Sequence, residues 1–469
     1  MTRSVVSRAS SSPWRRFIFG SFAAFLIIWA NTGRTRRRDG PVDIGAGDGW
    51  SLLRPKEYPE GYDYCRAKYL GAEGYRSLSK THNLQTLHII TRHGDRTPAL
   101  PFPDTPNSPP TWVNACPPTE YAHLTPSERG FLKTLSLGDD DDEKEYWAGR
   151  CNLGQLTYRG IEQMKDVGRA VREVYLTGRV EWEGGKTPGL EEARFRSTDV
   201  WRTVQSAQYF VNELFPVGNA SSVGEQQPVP LEIRPRPIDA LGLRLGSADL
   251  RALYRKTRAH DRAFLAYHQL STQFAAHMND AVQADYEYSL ESWFDLLQTR
   301  GCHGYELPCA AGKDTCLIAR DVESTVWLAH EWLRLEYDTQ MGDRRKESVM
   351  RIGPLVREIL SKRRSDTRIH HYSAHDTTLS GLLAVLASGS HTLKLQQAAH
   401  AWPPYASMLV IEVWKPKEES LSNDGGDGEG LDVRILYNGE VMPWLINGEV
   451  KEVIAWSKLR SPLADWLDA

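Results

Sequence analysis

The sequence predicts an α/β protein: a mostly parallel sheet flanked by helices, with a mainly helical cap inserted into it. Three observations carry this. Short apolar runs suited to buried strands alternate with helical stripes between residues 85 and 234. The alternation returns between residues 366 and 437. Residues 245–345 show helical patterns and many aromatics but no convincing strand. With 469 residues the chain has room for two or three domains, or for one large domain carrying insertions. One sheet interrupted by a helical segment fits the pattern.

Taken in order, Gln85–Thr91 is a short apolar run that reads as a buried strand. Residues 99–118 hold seven prolines and 138–145 form an acidic patch, so 99–150 reads as a long surface insertion. Within it, Asp139–Glu143 reads as a solvated loop and not as a metal site. Ile161, Met164, Val167, Val171 and Val174 recur at helical spacing. Glu192–Arg196 reads as a strand, and Val200, Val204, Ala207, Val211 and Leu214 form a second helical stripe. Leu231–Arg234 is a strand stopped by Pro235. Residues 366–374 form a strand, followed by a helix with Leu379, Leu382, Leu383 and Leu386 on one face. Ser407–Trp414 and Asp432–Tyr437 read as closing strands, separated by a Gly/Asp/Glu-rich loop. The core thus falls into 81–240 and 366–469, with 241–365 as the cap. His82, His88, His370 and His371 sit in or beside strands and read as packing residues, as do Trp402 and Tyr405 near the first closing strand.

Hydrophobic residues make up 41% and charged residues 25%, an ordinary globular balance that excludes a disordered, collagenous or polytopic membrane chain. The net charge of −3 hides an asymmetry: residues 1–38 carry eight arginines and no acid. The remaining 431 residues hold 49 basic against 60 acidic side chains, which argues against nucleic acid as a partner. Phe17–Ala30 is an uncharged run of 14 residues flanked by Arg15, Arg16 and Arg34–Arg38. With its polar neighbours it reads as an uncleaved signal-anchor over 17–33, giving a cytosolic tail (1–16) and a stem (34–80) whose residues 39–60 are Gly/Pro/Asp-rich. A signal peptide cut after Ala30 is the alternative, although Ile28 and Trp29 make a poor cleavage site. A buried soluble helix is a third. The first two send the body into the secretory pathway, as a single-pass type II membrane protein or as a secreted one.

Six cysteines, all beyond residue 38, permit three disulfides in an oxidising compartment. Fifteen pairings are possible. We expect one local bridge within Cys302–Cys316 and one joining Cys116 to Cys151. No Cys-x-x-Cys pair exists to suggest a metal. Asn219-Ala220-Ser221 is a glycosylation sequon if the body is lumenal.

The strongest chemical signal is Arg92-His93-Gly94-Asp95-Arg96-Thr97-Pro98, directly after the first strand. Ligands in open α/β sheets bind beyond the carboxyl ends of strands. A histidine between two arginines is frustrated by cation repulsion, and a phosphate dianion would relieve it by accepting from the guanidinium forks. Gly94 allows close backbone approach and Pro98 stiffens the exit. Two further segments stand at strand ends before helices: Arg196-Ser197-Thr198-Asp199 and Ser373-Ala374-His375-Asp376.

Together these segments resemble the signature of the histidine acid phosphatases, R-H-G-x-R-x-P followed by R-S-T-x and a distal His-Asp pair. The resemblance covers most of residues 82–440, with supporting matches at Gly154-Gln155-Leu156-Thr157, Val211–Pro216, Pro404-Tyr405-Ala406-Ser407 and Tyr437-Asn438-Gly439. Within the family the layout is most similar to the Golgi 2-phosphoxylose phosphatases. The resemblance implies a metal-independent phosphomonoesterase without cofactor, acting on a small phosphomonoester or phosphosugar. His93 would be the nucleophile, forming a phosphohistidine. Arg92, Arg96, Arg196 and His375 would bind the phosphate, and Asp376 would be the general acid and then the base. Asp95 fills the variable position of the motif and receives no role. A phytase or inositol phosphate phosphatase, and an inactive phosphosugar-binding protein, are the alternatives. The sequence leaves the physiological substrate and the oligomeric state open.

Overall fold

A computed structural model of the protein describes residues 61–100, 112, 115–117, 151–216, 229–242, 248–284, 287–310, 315–336, 342–362, 366–417 and 430–467. The expected anchor at 17–33, Asn219 and most of the 99–150 insertion lie outside the described residues. Among the described residues no helix is long and apolar enough to cross a membrane.

The strand expected over 85–91 is β1 (His82–Arg92), at the middle of the main sheet. It runs parallel to β4 (Ile369–Ala374), with Leu87 level with Ile369 and Arg92 level with Ala374. Beyond β4 lie β2 (Ala193–Ser197) and β3 (Leu231–Ile233), also parallel. These four strands form the parallel core. On the other side of β1 come β5 (Met408–Pro416), β6 (Asp432–Tyr437) and β10 (Ile454–Ala455), all antiparallel, with β7 (Glu440–Val441) paired to β6. A separate hairpin joins β8 (Trp444–Ile446) to β9 (Glu449–Lys451). The sheet is therefore mixed. The antiparallel half has a local cause: the chain reaches Ser407 level with the carboxyl end of β1, where the Ser407 carbonyl accepts from the Arg92 amide. From there a strand can only run back.

Alternation along β1 divides the core. Leu87 and Ile89 face α1 (Tyr158–Tyr175) and α2 (Trp201–Leu214), whose Met164, Val167, Val171, Phe210 and Leu214 cover that side. Ile90 faces α7 (Gly342–Ser361) and α8 (Asp376–Ser390), through Ile352, Leu355, Leu379, Leu382 and Leu383. Between β3 and β4 the described elements are helical: α3 (Ala248–Ala259), α4 (Arg262–Val282), α5 (Leu290–Cys302), α6 (Ala319–Glu336) and α7. A buried quartet fastens three of them, with Arg258 of α3 paired to Glu336 of α6 and Glu347 of α7, and Arg351 to both carboxylates. After α8 the chain forms α9 (Leu393–His400), and α10 (Trp456–Leu467) closes the described chain.

The histidines read as packing residues are in strands or beside them. His371 stacks on Phe210 at 4.0 Å, and His88 stacks on His370 at 4.9 Å.

The stem reading of 34–80 does not hold for residues 61–80, which fold onto the core. Tyr64, Ala67 and Leu70 are buried. Tyr75 reaches Glu412, a fully buried carboxylate of β5 that accepts from the Tyr75 hydroxyl (2.8 Å), the Tyr175 hydroxyl (2.6 Å), Trp414 Nε1 (2.9 Å) and Arg434 Nε (2.6 Å). Four donors satisfy a charge that burial alone would penalise heavily. The disulfides are Cys116–Cys151 and Cys309–Cys316, as expected, and Cys65–Cys302, which spans 237 residues. Closing a loop of that length constrains the unfolded chain by about 5 kcal/mol on the chain-entropy relation.

Candidate active site

Because β1, β4 and β2 are parallel and in register, their carboxyl ends lie level, and the residues that follow them meet. At those ends stand Arg92, the last residue of β1, and His93 after it, His375 and Asp376 after β4, and Thr198 after β2. The loop after β1 docks directly on the start of α1. A Cβ on Gly94 would fall 2.3 Å from the Gly160 carbonyl oxygen, and one on Gly160 would fall 2.1 Å from the Asp95 carbonyl oxygen. Only glycine at both positions permits that contact. Thr157 caps α1, accepting from the Gly160 amide at 3.1 Å and donating to Asp95 Oδ1 at 2.5 Å. The same Asp95 oxygen meets His303 Nε2 at 2.7 Å. Asp95, assigned no role from sequence, is thus the tie between the motif loop, α1 and the end of α5.

His93 is buried, and its Nδ1 lies 2.8 Å from the Gly94 carbonyl oxygen. A carbonyl can only accept, so Nδ1 carries the proton and Nε2 keeps a free lone pair. Burial, reinforced by the charges of Arg202, Arg92 and Arg96, pushes the imidazole pKa well below its ordinary value. The ring is therefore neutral and nucleophilic even in mild acid. The His375 ring lies 5.8 Å from it, close to perpendicular. His375 Nε2 pairs with Thr198 Oγ1 at 2.9 Å, and burial and Arg202 lower its pKa too.

Three arginines point charge at these rings. Arg92 gives Nη1 to the Pro403 carbonyl (2.6 Å) and Nη2 to both the Tyr64 hydroxyl (3.0 Å) and Asp376 Oδ2 (2.9 Å). Its guanidinium lies over the rings of Tyr405 (4.2 Å) and Tyr64 (5.0 Å). Arg96 is held by Asp295 of α5 at 2.8 Å. Arg202, in the first turn of α2, has no hydrogen-bond or ion-pair partner among the described residues, and its buried Nε is unsatisfied. Burial and neighbouring Arg96 lower its pKa to about 10.

The third phosphate-binding arginine expected from sequence, Arg196, is not in this cluster. Alternation along β2 turns it to the opposite face from Phe195, where Asp239 takes Nη2 and Glu358 takes Nη1 at 2.5 Å. Its charge is already neutralised, and Arg202 stands where Arg196 was expected. A signal for Arg202 was present in the sequence. A cation in the first turn of a helix opposes the helix dipole and needs a compensating anion.

Asp376 opens α8. Its Oδ1 accepts from the Thr377 amide at 2.8 Å, and its Oδ2 accepts from Arg92 and from Trp402 Nε1 at 3.1 Å. Burial raises its pKa, but Arg92, His375 and Arg96 outweigh that, so the carboxyl is held below its usual range. Trp402 and Tyr405, read from sequence as packing residues, also touch charged groups of the cluster. The arrangement is a partly buried, strongly cationic pocket floor that carries the Nε2 lone pair of His93 and the Asp376 carboxylate, chemistry suited to a phosphate ester.

Comparison with known proteins agrees. The pattern of the histidine phosphatase superfamily (branch 2) matches residues 83–438. The chain is 22% identical to 2-phosphoxylose phosphatase 1 of Danio rerio over 445 residues, covering 87% of this chain and 82% of that protein. It is 26% identical to prostatic acid phosphatase of Homo sapiens over 356 residues, covering 72% and 75%. The apo form of the Bifidobacterium longum multiple inositol polyphosphate phosphatase superposes with a TM-score of 0.50 at 12% identity, over 85% of this chain and 97% of that one, a likeness of fold. Since the family match takes in far more than half of its length, and the sheet brings that family's R-H-G and His-Asp segments together, the chain belongs to the histidine phosphatase superfamily, branch 2.

Proposed function

We propose that this protein hydrolyses a phosphorylated sugar through a phosphohistidine on His93, in the lumen of the secretory pathway. The observation that carries the reading is the cluster of buried Arg92 and Arg96 with half-buried Arg202 beside the bare Nε2 of His93, Arg202 lacking a counter-ion among the described residues. A phosphate dianion supplies the missing charge. The Nε2 lone pair attacks phosphorus, the bond to the ester oxygen breaks, and Asp376 delivers its proton to the departing alkoxide. Arg92, Arg96, Arg202 and His375 hold the equatorial oxygens as charge spreads onto them. Asp376, now a carboxylate, takes a proton from water. The water oxygen displaces His93 from phosphorus, and the electron pair returns to Nε2. Asp376 must be protonated for the first step, and the bound dianion supplies the upward push by competing for Arg92.

The sugar substrate is supported by the alignment to the phosphoxylose phosphatase, which extends beyond the family-matched core. Three disulfides support an oxidising compartment. The anchor over 17–33 would fix the body to a Golgi membrane as a type II protein, and Asn219 would carry a glycan.

The protein should turn over p-nitrophenyl phosphate, keep its activity in EDTA because the guanidiniums supply the phosphate-stabilising charge, and be inhibited by vanadate, which mimics five-coordinate phosphorus. Loss of activity in EDTA restored by Zn²⁺ or Mg²⁺ would refute the metal-independent mechanism.

The two arginines separate by experiment. Arg202→Ala should lower kcat about 10²–10³-fold with little change in urea midpoint, since it removes a charge stabilising the transition state. Arg196→Ala should instead destabilise the fold by about 3–5 kcal/mol, because it leaves the buried Asp239 carboxylate without its guanidinium, although Glu358 keeps Arg234 and Lys362. Activity per folded molecule should survive. The opposite pattern would return the phosphate-binding role to Arg196.

A further inference from the structure

We propose that Tyr64, held in place by the Cys65–Cys302 disulfide, is a positioning residue for Arg92, so that the catalytic unit includes a segment preceding the family-matched core. The inference rests on the phosphatase reading above. Arg92 Nη2 has two hydrogens and two acceptors, the Tyr64 hydroxyl at 3.0 Å and Asp376 Oδ2 at 2.9 Å. Tyr64 therefore fixes the nitrogen that faces the general acid. Its ring also lies under the guanidinium at 5.0 Å and meets Tyr405 edge-on at 5.0 Å and Phe294 at 5.4 Å.

The segment is joined to the site by three independent links. Ala67 donates its amide to the Tyr405 carbonyl and Tyr405 donates its amide to the Tyr64 carbonyl, each at 3.0 Å. Gln163 of α1 donates Nε2 to the Cys65 carbonyl at 2.7 Å. Cys65 is bonded to Cys302, and the next residue, His303, holds Asp95 of the motif loop. The bridge thus connects both sides of Arg92, with Tyr64 on one side and the motif loop on the other. The loss of a disulfide remote in sequence from His93 would reach the chemistry through a single guanidinium.

The groups facing Asp376 are Arg92 and Arg96 from the motif loop, His375 beside it, Arg202 from α2 and Trp402 before β5. Arg92 is the largest of the charges holding the carboxyl low. Loosening Arg92 should let the Asp376 carboxyl keep its proton to higher pH, moving the basic limb of kcat/KM upward.

The test is Tyr64→Phe in the full-length protein, which keeps the ring and removes the hydroxyl. We expect kcat/KM on p-nitrophenyl phosphate to fall about 10-fold, as for one hydrogen bond to a charged group. The basic limb should shift to higher pH and the thermal midpoint should stay in place. Inorganic phosphate, titrated by calorimetry, should bind about 10-fold more weakly, a readout that needs no turnover. The paired Cys65→Ser/Cys302→Ser variant should lose at least as much, and adding Tyr64→Phe to it should cost nothing further. Values of kcat/KM and phosphate affinity within twofold of the parent in Tyr64→Phe would overturn the proposal, as would a loss with an unmoved pH limb or multiplicative losses in the combined variant. Absence of turnover in the parent protein, with phosphate binding still weakened by Tyr64→Phe, would count against the phosphatase reading and leave this one standing.

Discussion

His93→Ala should abolish turnover, with a loss on the order of 10⁴–10⁶-fold, the scale seen when a nucleophile is removed from an enzyme. The side chain supplies the imidazole lone pair, on Nε2, that is left beside the arginines once Nδ1 is bonded to the Gly94 carbonyl. His375 lies 5.8 Å away by ring centroids and its Nε2 is engaged by Thr198. The fold should survive, because the His93 side chain makes one hydrogen bond, to the carbonyl of its own neighbour Gly94. Rapid mixing with a labelled ester and an alkaline quench should trap phosphohistidine in the parent and none in the variant, while inorganic phosphate still binds the arginines. Parent-like activity in a folded His93→Ala protein would sink the mechanism.

Asp376→Asn should discriminate between leaving groups. The amide keeps the shape but has no acidic proton to give. p-Nitrophenolate departs with little help, whereas a sugar alkoxide needs a proton in the transition state, assistance worth about 10²–10⁴-fold. The variant should therefore lose far more activity on sugar phosphates than on p-nitrophenyl phosphate. The comparison belongs in the burst phase, since the same residue activates water in the second step. Asparagine also removes the carboxylate that takes Arg92 Nη2, so some loss common to both substrates is expected from a less ordered guanidinium. Equal losses on both substrates would mean that Asp376 only positions the site.

Much of this was legible in the sequence, because strands and helices announce themselves through apolar periodicity and the motif residues sit at strand ends. The run read as 85–91 is β1, and the stripe from Ile161 to Val174 is α1. What stayed hidden depends on contacts distant along the chain. Arg196 and Arg202 both fit an arginine near Ser197-Thr198, and strand alternation toward Asp239 and Glu358 decides between them, partners 43 and 162 residues away. Trp402 resembles any core tryptophan until α8 brings Asp376 to its indole nitrogen. Residues 61–80 show no strand or helix periodicity, yet a few anchors suffice to hold them: Tyr64 on Arg92, Cys65 on Cys302 and Tyr75 on Glu412.

The pairing of β1 with β4 also sets a clock on synthesis. Thr91 beside the nucleophile and His371 on the partner strand bond across 280 residues. At ordinary elongation rates of about 5–20 residues per second, roughly 14–56 s pass between the emergence of one and the other. Through that interval the Arg92-His93 segment has no parallel neighbour, and its strand is an open edge seeking a mate. The nascent chain therefore cannot act on phosphate esters before β4 and the His375-Asp376 pair behind it have joined β1. Substitutions that slow the later half, in the helical segment or at Ile369–Ala374, should appear first as lower yield of folded protein, with kcat of the molecules that mature left unchanged.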